Sequence, residues 1–443
     1  MRPLLIIIAM LAVAMPAFAV AGFTFEPVHQ VGTGSEFSLV SLHAWFTNTG
    51  DEWDTFTFHK DEFLPGDWGS SFCEGEICYP PFLHDIEVIL EPGGSVEILV
   101  DIQVNTTVGS GYDVVTITSG NDPGVSGVWS FAAIHNECDA LVIDDAEADA
   151  DIRELFEIEM APRVPGIWPR DLELPSLPDL QTFPVVFWMT GNLEPSLDAD
   201  DRLLLTDYMD QGGALMLSGE DIAGDFCNPA SGWFDPVACD WWENWSHSIY
   251  TGDISTPSPI MGEPDGFLGE GLIMEWDDAP NEPNSDGFVL EYGRFGSVEF
   301  RYSEGTPAGL FWADSGRLVV FGFGLENITG PGGVMPTLLD RVYSALSITT
   351  DVEAPMASAL ELKGNYPNPF NPKTQIRFVS EVSGRGDLRV LDVAGRLVHA
   401  ETILVAEGGN ELSFGGTGLS SGVYLYQIRL GDEAVQGRMV LAK

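Results

Sequence analysis

From Gly22 to Ile134, apolar and polar residues alternate almost one by one. The segments FSLVSLHAWFTNTG, DIEVILEPGGSVEILVDIQV and YDVVTITSGNDPGVSGVWSFAAI carry this period of two, and Asn-Thr-Gly, Pro-Gly-Gly and Asn-Asp-Pro-Gly break it. A period of two marks strands with one face inward, and the glycine and proline clusters mark the turns between them. Many short strands with frequent turns predict an immunoglobulin-like β-sandwich over 22–135. The stretch LPGDWGSSFCEGEICYPP reads as a loop excursion from it.

At Cys138 the rhythm changes. ALVIDD, FPVVFWMTGN, ALMLSGED, GLFWAD and RLVVFGFG are short continuous apolar runs, several of them ending in acids. Between them LDADDRLLLTDYMDQGG reads as a helix, capped by Asp198 with Asp201 three residues on and stopped by Gly212 and Gly213. MPTLLDRVYSALS reads as a closing amphipathic helix. Strands apolar on both faces and separated by helices predict a central α/β three-layer domain over 139–348, with a mostly parallel sheet. An insertion at about 220–309 is rich in Trp, Pro and Asp and has little regular pattern. A linker is expected at 349–361, and alternation returns over 362–443 as a second all-β sandwich. Its hairpin turns are expected at Val393-Ala394-Gly395 and Gly431-Asp432.

The first nineteen residues change the compartment. Arg2, an apolar run from Leu4 to Met15, and Ala17-Phe18-Ala19 have the layout of a secretory signal peptide. No later run is long enough for a transmembrane helix, so an exported soluble protein is expected. Charge supports that expectation: 19 Lys+Arg against 68 Asp+Glu give a net −49. Such a chain repels nucleic acid and anionic membranes. The same acidity fits either solubility or divalent-cation sites. Five cysteines fit an oxidising compartment, with Cys73–Cys78 and Cys227–Cys239 as local disulfide candidates and zinc as the competing reading. Cys138 is left over.

The stretch GNYPNPFNPKTQIRFV packs three prolines and three asparagines into a stiff strap before a strand. In an extended chain Tyr366 and Phe370 point the same way and would pin the strap to a core. NYPNPFNPKTQIRF, LRVLDVAGRLV, LSSGVYLYQIRLGD and the basic end GRMVLAK, in that order, resemble the type A sorting domain of type IX secretion cargo. That domain is itself similar to the immunoglobulin-like domain of flagellar hook-capping proteins. The resemblance covers the last fifth of the chain and implies Tyr366, Pro367, Asn368, Pro369, Phe370, Asn371, Pro372, Gly422, Tyr424 and Lys443 as the sorting motif. It also implies passage through the periplasm, an outer-membrane export machine as partner, and, in many members, cleavage followed by attachment to surface lipopolysaccharide. The alternative is a stable terminal sandwich with no transport role.

The middle domain, through LVIDD, VVFWMTGN, LLLTDYMDQGGALMLSGED and VVFGFGLEN, resembles class I glutamine amidotransferase-like folds. The resemblance implies a cysteine on a strand-to-helix elbow and a His-x-Glu pair. Here Gly219 stands at the nucleophile position, with Ser218 one residue out of register. Gly324 replaces the histidine and only Glu326 is kept. His247, the domain's single histidine, lies in the insertion. This reads as a retired catalyst.

Asp144, Asp145, Glu220 and Asp221 follow strand ends, where ligands of open α/β sheets sit. Four carboxylates there suit Ca²⁺ or Mg²⁺; the competing reading is helix capping and solvated loops. Trp241, Trp242 and Trp245 form either an aromatic platform for a ligand or the small core of the insertion. No zinc helix, serine elbow, phosphate loop or basic aromatic patch is present. Two functions remain: an exported, surface-attached, non-catalytic protein (adhesion, ligand binding or scaffold), or a secreted hydrolase of peptide or glycan with its site in the insertion. Tryptophans lining a pocket with the acids would favour the hydrolase; tryptophans packed inward would count against it.

Overall fold

The computed structural model describes residues 20–443 apart from 147–151, 255–257, 265, 277–284, 291–295, 314–315, 330–332, 348–359, 381, 393–396, 407 and 431–432. The expected signal peptide, the two tight turns and nearly all of the expected linker lie outside the described residues. Strands dominate, and the chain divides into two compact units, one ending at Glu137 and one beginning at Cys138.

The first unit is a sandwich of two five-stranded sheets. One runs Phe23–Pro27, Leu39–Asn48, Ser95–Gln103, Gly69–Glu74, Ile77–Cys78; the other runs Val31–Gly34, Ser126–His135, Ser110–Ser119, Asp54–Phe63, Asp85–Leu90. Burial alternates along Leu39–Asn48 and Ser110–Ser119, as the sequence period requires. Inward residues of both sheets share one core, in which the Phe46 ring meets Phe56 at 4.8 Å and Phe58 at 4.9 Å, edge to face. Each fully buried phenylalanine stabilises by roughly 1.5–3 kcal/mol.

In the second unit a ten-stranded sheet begins Pro165–Pro169, Ala140–Asp144, Val186–Gly191, Ala214–Gly219, Arg317–Phe321, and these five strands are parallel. Val186–Gly191 and Ala214–Gly219 are buried at every position, which is why their sequences run apolar without alternation. Helices Ile152–Glu159 and Val334–Ser347 join one core with the sheet. The helix Ala199–Asp210 starts as expected: Asp198 accepts from the Asp200 and Asp201 amides, and Asp201 answers the Asp198 amide at 2.9 Å. Such a cap is worth about 1 kcal/mol.

The sheet departs from a mostly parallel one. Beyond Arg317–Phe321 it continues antiparallel through Pro307–Ala313, Gly296–Arg301, Ile260–Gly262, Ile273–Trp276 and Ile328–Thr329. The described residues of 220–309 are therefore regular structure, and several of their strands widen the sheet. They also hold the helix Pro236–Ser246 and the hairpin Ser248–Ile254 with Ser285–Leu290. Strands of three or four residues, and bulges between Val298 and Arg301, erase the periodicity that would have announced them.

The last residues form two further sheets, Leu360–Tyr366 with Lys373–Ser380 and Gly408–Gly415, and Leu397–Val405 with Gly384–Asp392, Gly422–Leu430 and Glu433–Leu441. Side chains from both sheets make a separate core that includes Phe370, Phe378, Leu388, Tyr426 and Met439. Tyr366 does not join it. It is 72% exposed, whereas Phe370 is buried. The bulge between Leu362 and Gly364 and the bends after Tyr366 end the straight period on which the shared direction depended.

Candidate functional site

Acids follow the carboxyl ends of the parallel strands, but the structure sends the four expected ones to three places. Asp145 turns to accept from the Trp188 indole at 2.9 Å. Burial pushes its pKa to about 7, with the charge of Asp201 adding to the shift and Arg170 opposing it. Arg170 itself is held by Asp201 at 2.8 Å and Asp198 at 3.0 Å.

Asp144 and Glu220 act on a second place, Glu326. Glu220 is buried and accepts from Asn327 at 3.1 Å. Glu326 Oε2 is buried without a hydrogen-bond partner among the described residues. Burial pushes the Glu326 pKa to about 7, and the charges of Glu220 and Asp144 add to the rise.

Asp221 belongs to a third group. It adopts φ 51 in the turn between Ala214–Gly219 and the short helix Gly224–Cys227. Its carboxylate meets those of Asp253 and Asp286, with one oxygen of each within 4.8 Å of the others. Asp253 and Asp286 face each other across the hairpin, directly paired in register. Asp286 is fully buried and accepts from the Ala223 amide at 2.7 Å and the Gly224 amide at 3.1 Å. Burial raises its pKa well above the usual carboxylate range, and the neighbouring Asp221 and Asp253 raise it further. Asp253 accepts from Asn228 at 3.0 Å and from the Tyr250 hydroxyl. A cavity of about 170 Å³ opens beside this group, lined by Glu194, Asp221, Asp225, Asn228, Ser231 and Asp253 among others. Asp225 accepts from the Ser196 amide at 2.6 Å, and burial pushes its pKa to about 6.

The donor set is all oxygen, which suits a hard divalent cation. Gly224 supplies the space: a Cβ built there would lie 2.7 Å from Asp221 Oδ1, 2.8 Å from Asp286 Oδ1 and 3.4 Å from Asp253 Oδ1. Sequence reading missed Asp253 and Asp286, because neither follows a visible strand pattern.

The two positions at which the sequence resemblance would place a nucleophile and a histidine are Gly219 and Gly324. A Cβ on Gly219 would come 1.8 Å from Thr190 Oγ1, and one on Gly324 would come 2.0 Å from Glu326 Oε1. Ser218 is fully buried, donating to the Phe323 carbonyl at 2.8 Å and accepting from the Leu325 amide at 3.1 Å. His247 closes the helix Pro236–Ser246 with φ 52, its ring 4.9 Å from that of Trp312. Cys138 is buried outside both disulfides, which join Cys73 to Cys78 and Cys227 to Cys239.

The tryptophans pack inward. Trp242 is fully buried and stacks on Phe288 at 5.8 Å; Trp245 is buried and stacks on Trp241 at 5.0 Å. Trp241, half-buried, donates to Thr206 at 2.9 Å. None of the three lines the acid cavity.

The terminal strap is tied to the last strand of the chain. Asn368 accepts from the Val440 amide at 2.8 Å and donates to the Arg438 carbonyl at 3.2 Å. The Phe370 amide donates to Val440 at 2.8 Å, and the Ala442 amide donates back to Phe370 at 3.0 Å. Thr374 donates to the Pro367 carbonyl at 2.9 Å and the Gly416 amide to that of Pro372 at 2.7 Å. Tyr424, two residues after Gly422, donates to the Ser420 carbonyl at 2.7 Å, and Lys443 donates to the Leu419 carbonyl. Of the motif residues, Phe370 and Tyr424 are buried, while Tyr366, Pro367, Asn368, Pro369, Asn371 and Pro372 are exposed.

This is a β-sandwich module whose proline strap and basic end meet along one edge. Residues 365–442 match the family described as the secretion system C-terminal sorting domain. The protein is therefore cargo of the type IX system, and its destination is the cell surface or the exterior. No curated protein matches the chain. Among solved structures it is similar to the N-terminal domain of PorA, at 11% identity over 26% of this chain and 96% of that one, with a TM-score of 0.18. The secreted serine protease VesC from Vibrio cholerae is 12% identical over 26% of this chain and 23% of its own, at 0.19. The BSP domain of a biofilm associated protein is 8% identical over 96% of this chain and 66% of its own, at 0.24. Likenesses this weak define neither the fold of the middle region nor an activity. Among the described residues, no helix is long and apolar enough to cross a membrane.

Proposed function

We propose that the protein is a non-catalytic, surface-attached binding or scaffold protein, delivered by its terminal sandwich and held on surface lipopolysaccharide after processing. In this reading the first unit is an immunoglobulin-like domain, and residues 139–348 are a three-layer, amidotransferase-like α/β domain that has lost its chemistry. The observation that carries it is at the elbow: Gly219 offers no thiol, and a side chain there would run into Thr190 Oγ1, while at Gly324 the Glu326 carboxylate stands where that fold keeps an imidazole. The burial of Trp242 and Trp245, and the place of all three tryptophans outside the lining of the acid cavity, add support, because tryptophans beside the acids would have favoured the hydrolase. The ligand end of the domain is the cavity at Asp221, with Ca²⁺ the cation that Asp221, Asp253 and Asp286 would hold.

Two measurements test this. Exported protein incubated with envelope glycan and with peptide is expected to leave both intact, and turnover abolished by Asp221→Asn would instead establish the hydrolase. Ca²⁺ titrated into the full protein in a calorimeter is expected to give one binding event, lost in Asp286→Asn and retained in Glu220→Gln. Absence of heat in the parent protein removes the cation from the account.

A further inference from the structure

Lys60 is the only lysine or arginine between Pro3 and Ile152, and it does not serve solubility. It is fully buried in the first unit, on the inward face of Asp54–Phe63 that also carries Phe56 and Phe58. A lone buried cation in so acidic a chain costs desolvation energy and requires an explanation. Its ammonium touches Glu62, the Ser70 carbonyl and hydroxyl, and the Pro81 carbonyl at 3.3 Å.

On the neighbouring strand Ser110–Ser119, Asp113 is also fully buried, and neither of its carboxyl oxygens has a hydrogen-bond partner among the described residues. The strands are antiparallel, with Glu62 opposite Asp113 and Lys60 opposite Val115. Lys60, Glu62 and Asp113 thus share one inward face, and Lys60 stands diagonal to Asp113. Diagonal positions are about 7–8 Å apart at the backbone, within the span of a lysine side chain. Lys60 rests on Ser70 and Glu62 rather than on Asp113 itself, and the Ser70 hydroxyl donates to Glu62 at 3.0 Å. Burial pushes the Asp113 pKa to about 6, so its protonated form is accessible near neutral pH.

We infer that Lys60 and Asp113 form an intramolecular amide, with Glu62 as the proton shuttle, locking the two strands covalently. The step consumes the neutral Lys60 amine and the Asp113 carboxylic acid, which together carry the same protons as the ammonium and the carboxylate. Lys60 Nζ, swung off Ser70, attacks Asp113 Cγ, and an Nζ–Cγ bond forms. Glu62 takes the proton from nitrogen and passes it to the departing hydroxyl. The Cγ–O bond breaks and one water leaves. No oxidant, reductant or further reactant is needed.

Lys60 is also the only tryptic site before Arg153 in this region, which makes the test direct. The full protein is denatured, reduced and digested with trypsin, and its peptides are weighed. No cut after Lys60 is expected, and the fragment running through to Arg153 weighs about 18 Da less than its sequence, one water. Release of a fragment Asp61–Arg153 at sequence mass overturns the inference, as does an uncut fragment with no mass loss. Glu62→Gln is expected to restore the cut while the Cys73–Cys78 disulfide still forms, which serves as the fold control; a persistent link removes Glu62 from its role. Asp113→Asn is expected to yield the same amide by losing ammonia, about 17 Da, and a cut at Lys60 in that variant contradicts the assignment of Asp113.

Discussion

The terminal sandwich and the acid crest of the ten-stranded sheet lie in one compact unit, yet they keep their polar groups in opposite ways. In the sandwich Asn368 and the Phe370 backbone are matched by partners at the end of the chain, and the Pro367 and Pro372 carbonyls by Thr374 and Gly416. At the crest, Asp225 and Asp286 are buried and Asp145 and Glu326 half-buried, and desolvation raises the pKa of all four. The first arrangement is what a recognition label needs, a stiff and satisfied surface. The second tolerates unfavourable burial, which persists where a site holds something or once did.

Trp242 separates the two regions most strongly. It supports the crest from the insertion side, and Trp242→Ala is expected to destabilise the second unit by about 3–5 kcal/mol in denaturant melts. Trp241→Ala, at a half-buried ring, is expected to cost clearly less, and equal costs would return the platform reading to consideration.

The next effect is in the pH dependence. Glu326 has an ordinary value of 4.5 and a folded value of about 7. Below 4.5 both states hold the proton and the group is neutral for stability. Between 4.5 and 7 the unfolded chain releases its proton first, so stability falls as pH rises, and above 7 the loss is complete. Glu326→Gln is expected to remove a fall on the order of 3 kcal/mol across that window. Parallel curves for parent and variant would show that Glu326 does not titrate as described.

Gly219→Ala is expected to cost about 1–3 kcal/mol by overpacking against Thr190, with Thr190→Ala relieving part of it in the double variant. The smallest effect belongs to the strap. Asn368→Ala removes two hydrogen bonds and is expected to cost about 1–2 kcal/mol, read as faster amide exchange along Glu433–Leu441.

What the sequence made legible follows the same division. The strap, the strands after it and the Asp198 cap are contiguous patterns, and local physics reads them directly. Gly219 and Gly324 were legible as missing side chains, and the close approach of Thr190 adds a steric reason at Gly219. Tyr366 was misread because parity holds only in a straight strand. Asp253 and Asp286 were missed because a hairpin far along the chain folds them back onto Asp221, and nothing in their local pattern announces it. Of the antiparallel half of the sheet, GLFWAD was read as a strand and is Pro307–Ala313, whereas the rest was hidden because strands of two to four residues and bulged strands carry too little alternation to be seen.

The central claim is that the terminal sandwich carries the protein out of the cell and that the acid crest plays no part in transport. Export is followed in a host with the type IX system, comparing the full chain, a form lacking Leu360–Lys443, and the full chain carrying Asp221→Asn. The account predicts surface or released protein for the first and third and periplasmic retention for the second. Export of the shortened form at the level of the full chain would contradict it.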